Sequence, residues 1–143
     1  FEHSIERTYY AVVYGRPEPA EGTITGNIAR SRFDRKKMAL VENGGKHAVT
    51  HYRCLQSANG AVSLVRCNLE TGRTHQIRVH MTSLGHPLLG DEIYGSGKNP
   101  YHLQGQTLHA MVLGFVHPRT GEYMEFSAPL PEYFLDLLEK LRK

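Results

Sequence analysis

Apolar and polar positions alternate with a period of two along much of the chain, and that alternation marks strands. Thr8–Tyr14 (TYYAVVY) is dense in β-branched and aromatic residues and predicts a strand. Gly15–Gly22 (GRPEPAEG) interrupts it with two prolines and two glycines and reads as a loop. Thr23–Ile28 and Met38–Val41 predict two further short strands, the latter followed by a turn at Asn43-Gly44-Gly45. Ala48–Gln56 and Val62–Leu69 predict an antiparallel pair joined through Ser57-Ala58-Asn59-Gly60. Leu108–Val116 and Tyr123–Ser127 predict a second pair, turning at Pro118-Arg119-Thr120-Gly121.

A period near 3.6 replaces the alternation in two places. Between Leu69 and Gly95, residues Thr74, Gln76, Arg78 and His80 alternate with His75, Ile77, Val79 and Met81 as a strand would. A helix has more support. Ile77, Met81 and Leu84 fall at i, i+4 and i+7, Thr74 suits an N-cap, and Gly85 stands where a C′ glycine belongs, with Pro87 beyond it. The spacing predicts a helix over His75–Leu84, with His75, Arg78 and Thr82 on one face. Pro131–Lys143 predicts a closing helix, Pro131 in its first turn and Phe134, Leu137, Leu138 and Leu141 as its apolar stripe. The fold class expected is α+β: a mainly antiparallel mixed β-sheet with a few helices.

Composition bounds the rest. A chain of 143 residues with 40% hydrophobic and 22% charged content fits one globular domain with a real core. A net charge of +3 permits an anionic partner without demanding one. Cys54 and Cys67 sit in separate apolar stretches with no cysteine framework around them, so both are expected to be reduced. No apolar run approaches the roughly 20 residues of a membrane span, the sequence has no repeat or low-complexity tract, and no secretory leader is expected. A cytoplasmic protein without a membrane partner is expected.

The strongest charge feature is Arg30–Lys37 (RSRFDRKK), where Arg30, Arg32, Arg35, Lys36 and Lys37 surround a single acid, Asp34. Such a cluster either contacts nucleic-acid phosphates or forms a solvated loop, and Phe33 inside it either stacks on a base or anchors the loop. The predicted helix start offers unpaired amides beside Arg73 and Arg78, a fitting place for a phosphate or carboxylate. Nine histidines raise the question of a metal. His47 and His51 are spaced for zinc on a helix but fall in a predicted strand, no Glu or Cys ligand accompanies them, and no metal is expected. Gly85, Gly90 and Gly95 have no phosphate-loop order.

The run LETGRTHQIRVHMTSLGHPLLGDEIYG closely resembles the third motif of RluA-type pseudouridine synthases. Glu6–Gly15 (ERTYYAVVYG) resembles the second motif of that family. Gly45–Tyr52 is similar to its GKPAxTxY segment, with His47 in place of proline. Leu108-His109-Ala110 and HPRTGEYMEFSAPLP resemble the closing block. The resemblance spans essentially the whole chain and is nearest the RluD-like branch, which acts on large-subunit ribosomal RNA. It implies isomerisation of uridine to pseudouridine in structured RNA, with no metal and no cofactor. The family's nucleophile is an aspartate in an upstream HRLD-type motif, and no such motif occurs here. The chain is therefore expected to be the C-terminal portion, residues 1–143, of a catalytic domain that is inactive without its aspartate. Its partner would be the N-terminal part of that domain or a second copy.

The resemblance further implies that Arg78 pairs with the nucleophile and that Tyr9, chosen over Tyr10 by the Tyr-x-Ala register, stacks near the base and takes the proton from carbon 5. It strengthens an RNA-contact role for Arg30, Arg32, Arg35, Lys36, Lys37, Arg73, His75 and Gln76, with Leu108 and His109 lining the pocket. None of Asp34, Asp91 or Asp136 resembles the nucleophile. Asp34 is expected to pair with neighbouring arginines and Asp91 to bond backbone amides in its turn. The alternative is a non-catalytic RNA-binding module that keeps the fold.

Overall fold

The computed structural model describes residues 6–95, 103, 106–116 and 119–141. Ten elements follow one another: β1 (Glu6–Tyr14), β2 (Glu21–Thr25), β3 (Asn27–Arg30), β4 (Met38–Val41), β5 (Val49–Ala58), β6 (Val62–Leu69), α1 (Gln76–Ser83), β7 (Leu108–Val116), β8 (Tyr123–Ser127) and α2 (Glu132–Leu141). Six strands form one sheet in the order β2-β5-β6-β1-β7-β8, and β3 pairs with β4 in a separate two-stranded ribbon. Every strand pair is antiparallel, so the expected α+β class holds.

The expected single strand over Thr23–Ile28 is two strands belonging to two sheets. β2 pairs with β5 up to Thr25, and β3 begins pairing with β4 at Asn27. Gly26 is the crossing point, its N–H donating to Ala48 O over 3.1 Å. Sequence alternation continues across the break because both strands bury one face, which is why the pattern alone hides it.

The main sheet carries a core on each face. Ala11, Val13, Val65, Cys67 and Tyr52 pack with Ile77, Met81 and Leu88 on the face covered by α1. Val12, Val62 and Leu89 pack with Phe134 and Leu137 on the face covered by α2. α2 begins at Glu132, one residue later than expected, and Pro131 precedes it as the cap, its carbonyl accepting from Phe134 N at 3.0 Å and Leu135 N at 3.1 Å. Residues 142–143, the side chain of Leu141 and the turn residue Pro118 lie outside the described set. Both cysteines are free, and burial pushes the Cys67 thiol up to about 12. Among the described residues, no helix is long and apolar enough to cross a membrane.

α1 matches the expected span to within a residue at each end, but its start is built differently. Thr74 is not the cap. His75 occupies that position in the left-handed region (φ 56°), and no side chain caps the helix. Gln76 does the anchoring. Its Oε1 accepts from Thr71 Oγ1 at 2.7 Å and Arg73 N at 3.0 Å, and its Nε2 donates to Val49 O and Thr50 Oγ1, both at 2.9 Å. The end is as expected. Gly85 (φ +87°) turns the chain, with Gly85 N bonding Thr82 O and His86 N bonding Met81 O, the two bonds of a Schellman motif. Leu84, expected in the apolar stripe, is 41% exposed because it lies in the C-cap, after the last buried turn.

Beyond Gly85 the chain returns along β1. Tyr14 N donates to Pro87 O and Leu89 N to Val12 O, each at 2.9 Å. This segment takes the place beside Val12–Tyr14 that β7, pairing only as far as Ala11, leaves free. Leu88 and Leu89 are completely buried, one in each core, and they fix the position of Asp91 two residues later.

Candidate functional site

Arg78 lies on the third residue of α1 and is only 7% exposed. A guanidinium so deeply placed needs a counter-charge and hydrogen-bond acceptors. Asp91 supplies both: Arg78 Nε donates to Oδ2 at 2.8 Å and Nη2 to Oδ1 at 2.9 Å. This bidentate geometry is the strongest a carboxylate offers an arginine. Asp91 Oδ1 also accepts from the amides of Ile93 and Tyr94, each at 3.1 Å, as expected for an acid in a turn. Its pairing with Arg78 departs from the sequence-based expectation. Burial alone would raise the Asp91 pKa, but the Arg78 hydrogen bonds and the two amides outweigh it and hold the carboxyl below its usual range. The same hydrogen bond raises Arg78. Arg78 Nη1 makes no hydrogen bond to any described residue.

Tyr94 completes the support. The Arg78 guanidinium carbon stands 5.0 Å from its ring centroid. Met38 N donates to its hydroxyl at 2.8 Å, and that hydroxyl lies 2.8 Å from His75 Nδ1. With Met38 donating, the hydroxyl keeps its proton and one lone pair, so the bond to Nδ1 closes with either His75 tautomer. A neutral ring fits its surroundings, since burial first, then the nearby Arg78 and Arg30 charges, lower the His75 pKa. Gly95 closes the turn tightly, and a Cβ there would stand 2.4 Å from Asp91 O.

The expected residues separate into distinct groups. Tyr9 and Leu108 are partly buried against the core that Ile77 and Met81 of α1 also enter, so they share the face α1 covers. Tyr10 lies on the opposite face. His109 pairs with Tyr10 in register and sits 6.5 Å from the Phe134 ring, so it is on that opposite face too, away from Tyr9 and Leu108. Gln76, expected to contact RNA, is 2% exposed, and all four of its hydrogen-bonding positions are used within the fold. It is a structural anchor.

The basic cluster forms the tip of the β3–β4 ribbon. Ser31 Oγ accepts from Phe33 N and Asp34 N, Asp34 Oδ1 accepts from Lys36 N, and Ser31 N bonds Lys37 O. Asp34, expected to pair with arginines, instead bonds an amide. Bonds to the backbone shape this loop, so its cations project outward. Arg32, Arg35 and Lys36 are exposed, while Lys37 is half-buried. Phe33 is 98% exposed and anchors nothing.

Between this ribbon and the start of α1 lies a cavity of about 370 Å³ lined by Arg30, Lys46, Arg73 and Thr74, with no acidic residue among the described residues of its walls. Arg30 Nη1 is tied to Arg35 O at 2.7 Å and Arg73 Nε to His47 O at 2.8 Å, leaving further donors on both. Lys46, Asp91 and Tyr94 are the site residues that sequence reasoning missed. Each had a faint signal: Lys46 in the GKHAVT segment, and Asp91 and Tyr94 at a three-residue spacing that one turn can close.

Residues 1–83 match the family model described as RNA pseudouridylate synthase. The chain is 52% identical over 140 residues to the uncharacterized RNA pseudouridine synthase YlyB of Bacillus subtilis, covering 98% of this chain and 45% of that protein. It is 49% identical over 139 residues to ribosomal large subunit pseudouridine synthase D of Zymomonas mobilis, covering 92% and 43%. The solved structure of human RNA pseudouridylate synthase domain containing 4 superposes with a TM-score of 0.74 at 27% identity, over 96% of this chain and 62% of that one. The chain thus spans less than half the length of the two sequence relatives.

Proposed function

The chain belongs to the RluA-type family of RNA pseudouridine synthases, and from that premise we propose that it supplies the arginine and tyrosine of a uridine-isomerising active site acting on large-subunit ribosomal RNA in the cytoplasm. The observation that carries this is the buried Arg78, oriented by Asp91 and Tyr94 yet with Nη1 unengaged among the described residues, on the helix that covers the face bearing Tyr9.

The reaction breaks the bond between uracil and ribose, turns the base and rejoins it through carbon 5. A carboxylate nucleophile must stay ionised and aimed during this sequence. Arg78 Nη1 suits that task, because its fork is already fixed on the opposite edge. Tyr9 offers an aromatic face for the base and a hydroxyl for the proton leaving carbon 5. The target uridine must leave its stack to arrive there, at about a few kcal/mol. Phosphates flanking it are proposed to sit in the cavity of Arg30, Lys46 and Arg73, with Arg32, Arg35, Lys36 and Lys37 holding the RNA further out. The nucleophilic aspartate is proposed to come from a preceding segment of the same domain, whose strands, or a second copy of the chain, would cover an outer edge of β2 or β8.

The test is pseudouridine formation on large-subunit ribosomal RNA, read by mass spectrometry, for this chain and for a polypeptide extended upstream through an HRLD-type motif. Activity is expected only in the extended form, and Tyr9→Phe and Arg78→Ala are each expected to reduce it at least a hundredfold. Full activity of this chain alone, or of the extended Arg78→Ala variant, would overturn the assignment.

A further inference from the structure

Tyr94 touches three separate parts of the site. Its ring lies against the Arg78 guanidinium, 5.0 Å from centroid to carbon. Its hydroxyl receives the Met38 amide, where the basic tip rejoins the ribbon, and bonds His75 Nδ1. His75 is the left-handed residue at the start of α1. Its ring also meets the Tyr94 ring edge-on, at 5.6 Å and 87°. Tyr94 is itself held through its own amide, which donates to Asp91 Oδ1 at 3.1 Å, the oxygen that Arg78 Nη2 bonds.

These contacts are unusual in combination. A non-glycine residue in the left-handed region is conformationally unfavourable and persists only where its surroundings hold it. The His75 ring is held by Tyr94 alone among its described polar contacts. The Met38 amide is the first of β4, immediately after Lys37. The ribbon tip is therefore joined through one hydroxyl to the helix start, and through one ring to the arginine.

We propose that Tyr94 is a positioning residue that couples engagement of the basic ribbon by RNA to the orientation of Arg78. The inference rests on the pseudouridine synthase reading for its catalytic consequence, but its geometric content stands on the contacts above. Tyr94 acts through Arg78 and His75. RNA seated on Arg32, Arg35 and Lys36 steadies the ribbon, the ribbon steadies the Tyr94 hydroxyl, and the ring then stiffens the guanidinium that Asp91 already holds by one edge.

Two substitutions divide the role. Tyr94→Phe keeps the ring and removes both hydroxyl bonds. Tyr94→Leu removes the ring as well. In the upstream-extended polypeptide, Tyr94→Phe is expected to lower kcat at least tenfold with KM for RNA within twofold, and Tyr94→Leu to lower it at least tenfold further. In this chain, nitrogen NMR of the Arg78 side chain reads the position directly. RNA addition is expected to slow Nη rotation in the parent and not in either variant. Parent-like kcat together with parent-like Arg78 response to RNA in Tyr94→Phe would overturn the coupling. So would a kcat loss that tracks lowered thermal stability and disappears on cooling. Absence of pseudouridine from the unsubstituted extended protein would count against the functional reading, and the NMR comparison would then decide the coupling by itself.

Discussion

The start of α1 and the tip of the β3–β4 ribbon both concentrate positive charge, and the fold treats them in opposite ways. Arg78 is withdrawn from water, paired on one edge with Asp91 and stacked on Tyr94. Arg32, Arg35 and Lys36 stand in solvent on a loop that closes itself with backbone and Ser31 bonds. The buried cation is gripped on one edge by Asp91 and faced by the Tyr94 ring. The exposed ones have many orientations open to them, and salt screens them. A group that must meet a single reacting atom needs the first arrangement, whereas groups that follow an irregular phosphate backbone are served by the second. The same residue type thus acquires a chemical or an adhesive character from burial alone.

The sharpest way to break this contrast is to remove the partner that makes burial tolerable. Asp91→Ala leaves Arg78 charged and unpaired at a position where the carboxylate side chain is 0% exposed. Breaking such a pair costs about 3–5 kcal/mol. Urea unfolding is expected to show a stability loss of that size with an unchanged slope. A loss below about 1 kcal/mol would mean that the pair behaves like an exposed one and would erase the distinction between the two regions.

Sequence patterning reaches the exposed region far better than the buried one. The charge run is visible as composition, and its outward projection follows from having nothing apolar to hold it except Phe33. The strands are legible because period-two alternation reports burial directly, and α1 because Ile77 and Met81 report one buried stripe. The resemblance to known motifs singles out Arg78. The Asp91 partnership is not legible, because it joins two segments through a Schellman turn and a stretch of chain lying against β1. Periodicity carries no information on such a meeting. Gln76 misleads for the same reason. A glutamine at a helix start looks available until the fold brings Val49, Thr50 and Thr71 to its hydrogen-bonding positions.

The intermediate test uses pH. His80, completely buried, accepts from Thr50 Oγ1 at Nδ1 and faces Gly26 O with Nε2, a neutral arrangement. Burial lowers its pKa from 6.5, more than the Gly26 carbonyl raises it, and His75 is lowered as well. The unfolded chain therefore takes up protons near pH 6.5 that the folded chain refuses. Stability is full above that value and falls as pH drops below it, by up to about 1.4 kcal/mol per pH unit for each histidine until the folded pKa is reached. Urea midpoints measured from pH 8 to pH 5 are expected to decline only in the lower half of that range. His80→Gln is expected to flatten the decline, and an unchanged slope in that variant would assign the effect elsewhere.

The smallest expected effect on stability belongs to the ribbon tip. The side chains of Arg35 and Lys36 are exposed, so charge reversal of Arg35, Lys36 and Lys37 disturbs little of the packed interior. Unfolding free energy is expected to move by no more than about 0.5 kcal/mol. RNA affinity is expected to fall, and its salt dependence to weaken by about 0.7 to 0.9 in slope for each phosphate left without its cation. Phe33→Ser tests whether the tip also uses its aromatic ring. With 98% of that residue in solvent, stability has nothing to lose. If the ring stacks on an unpaired base, affinity falls by about 1–3 kcal/mol at every salt concentration, because stacking releases no counterions. A loss that shrinks with added salt would instead place Phe33 among the electrostatic determinants. No loss would leave the tip purely cationic, adhesive in the strict sense and without a part in orienting a base.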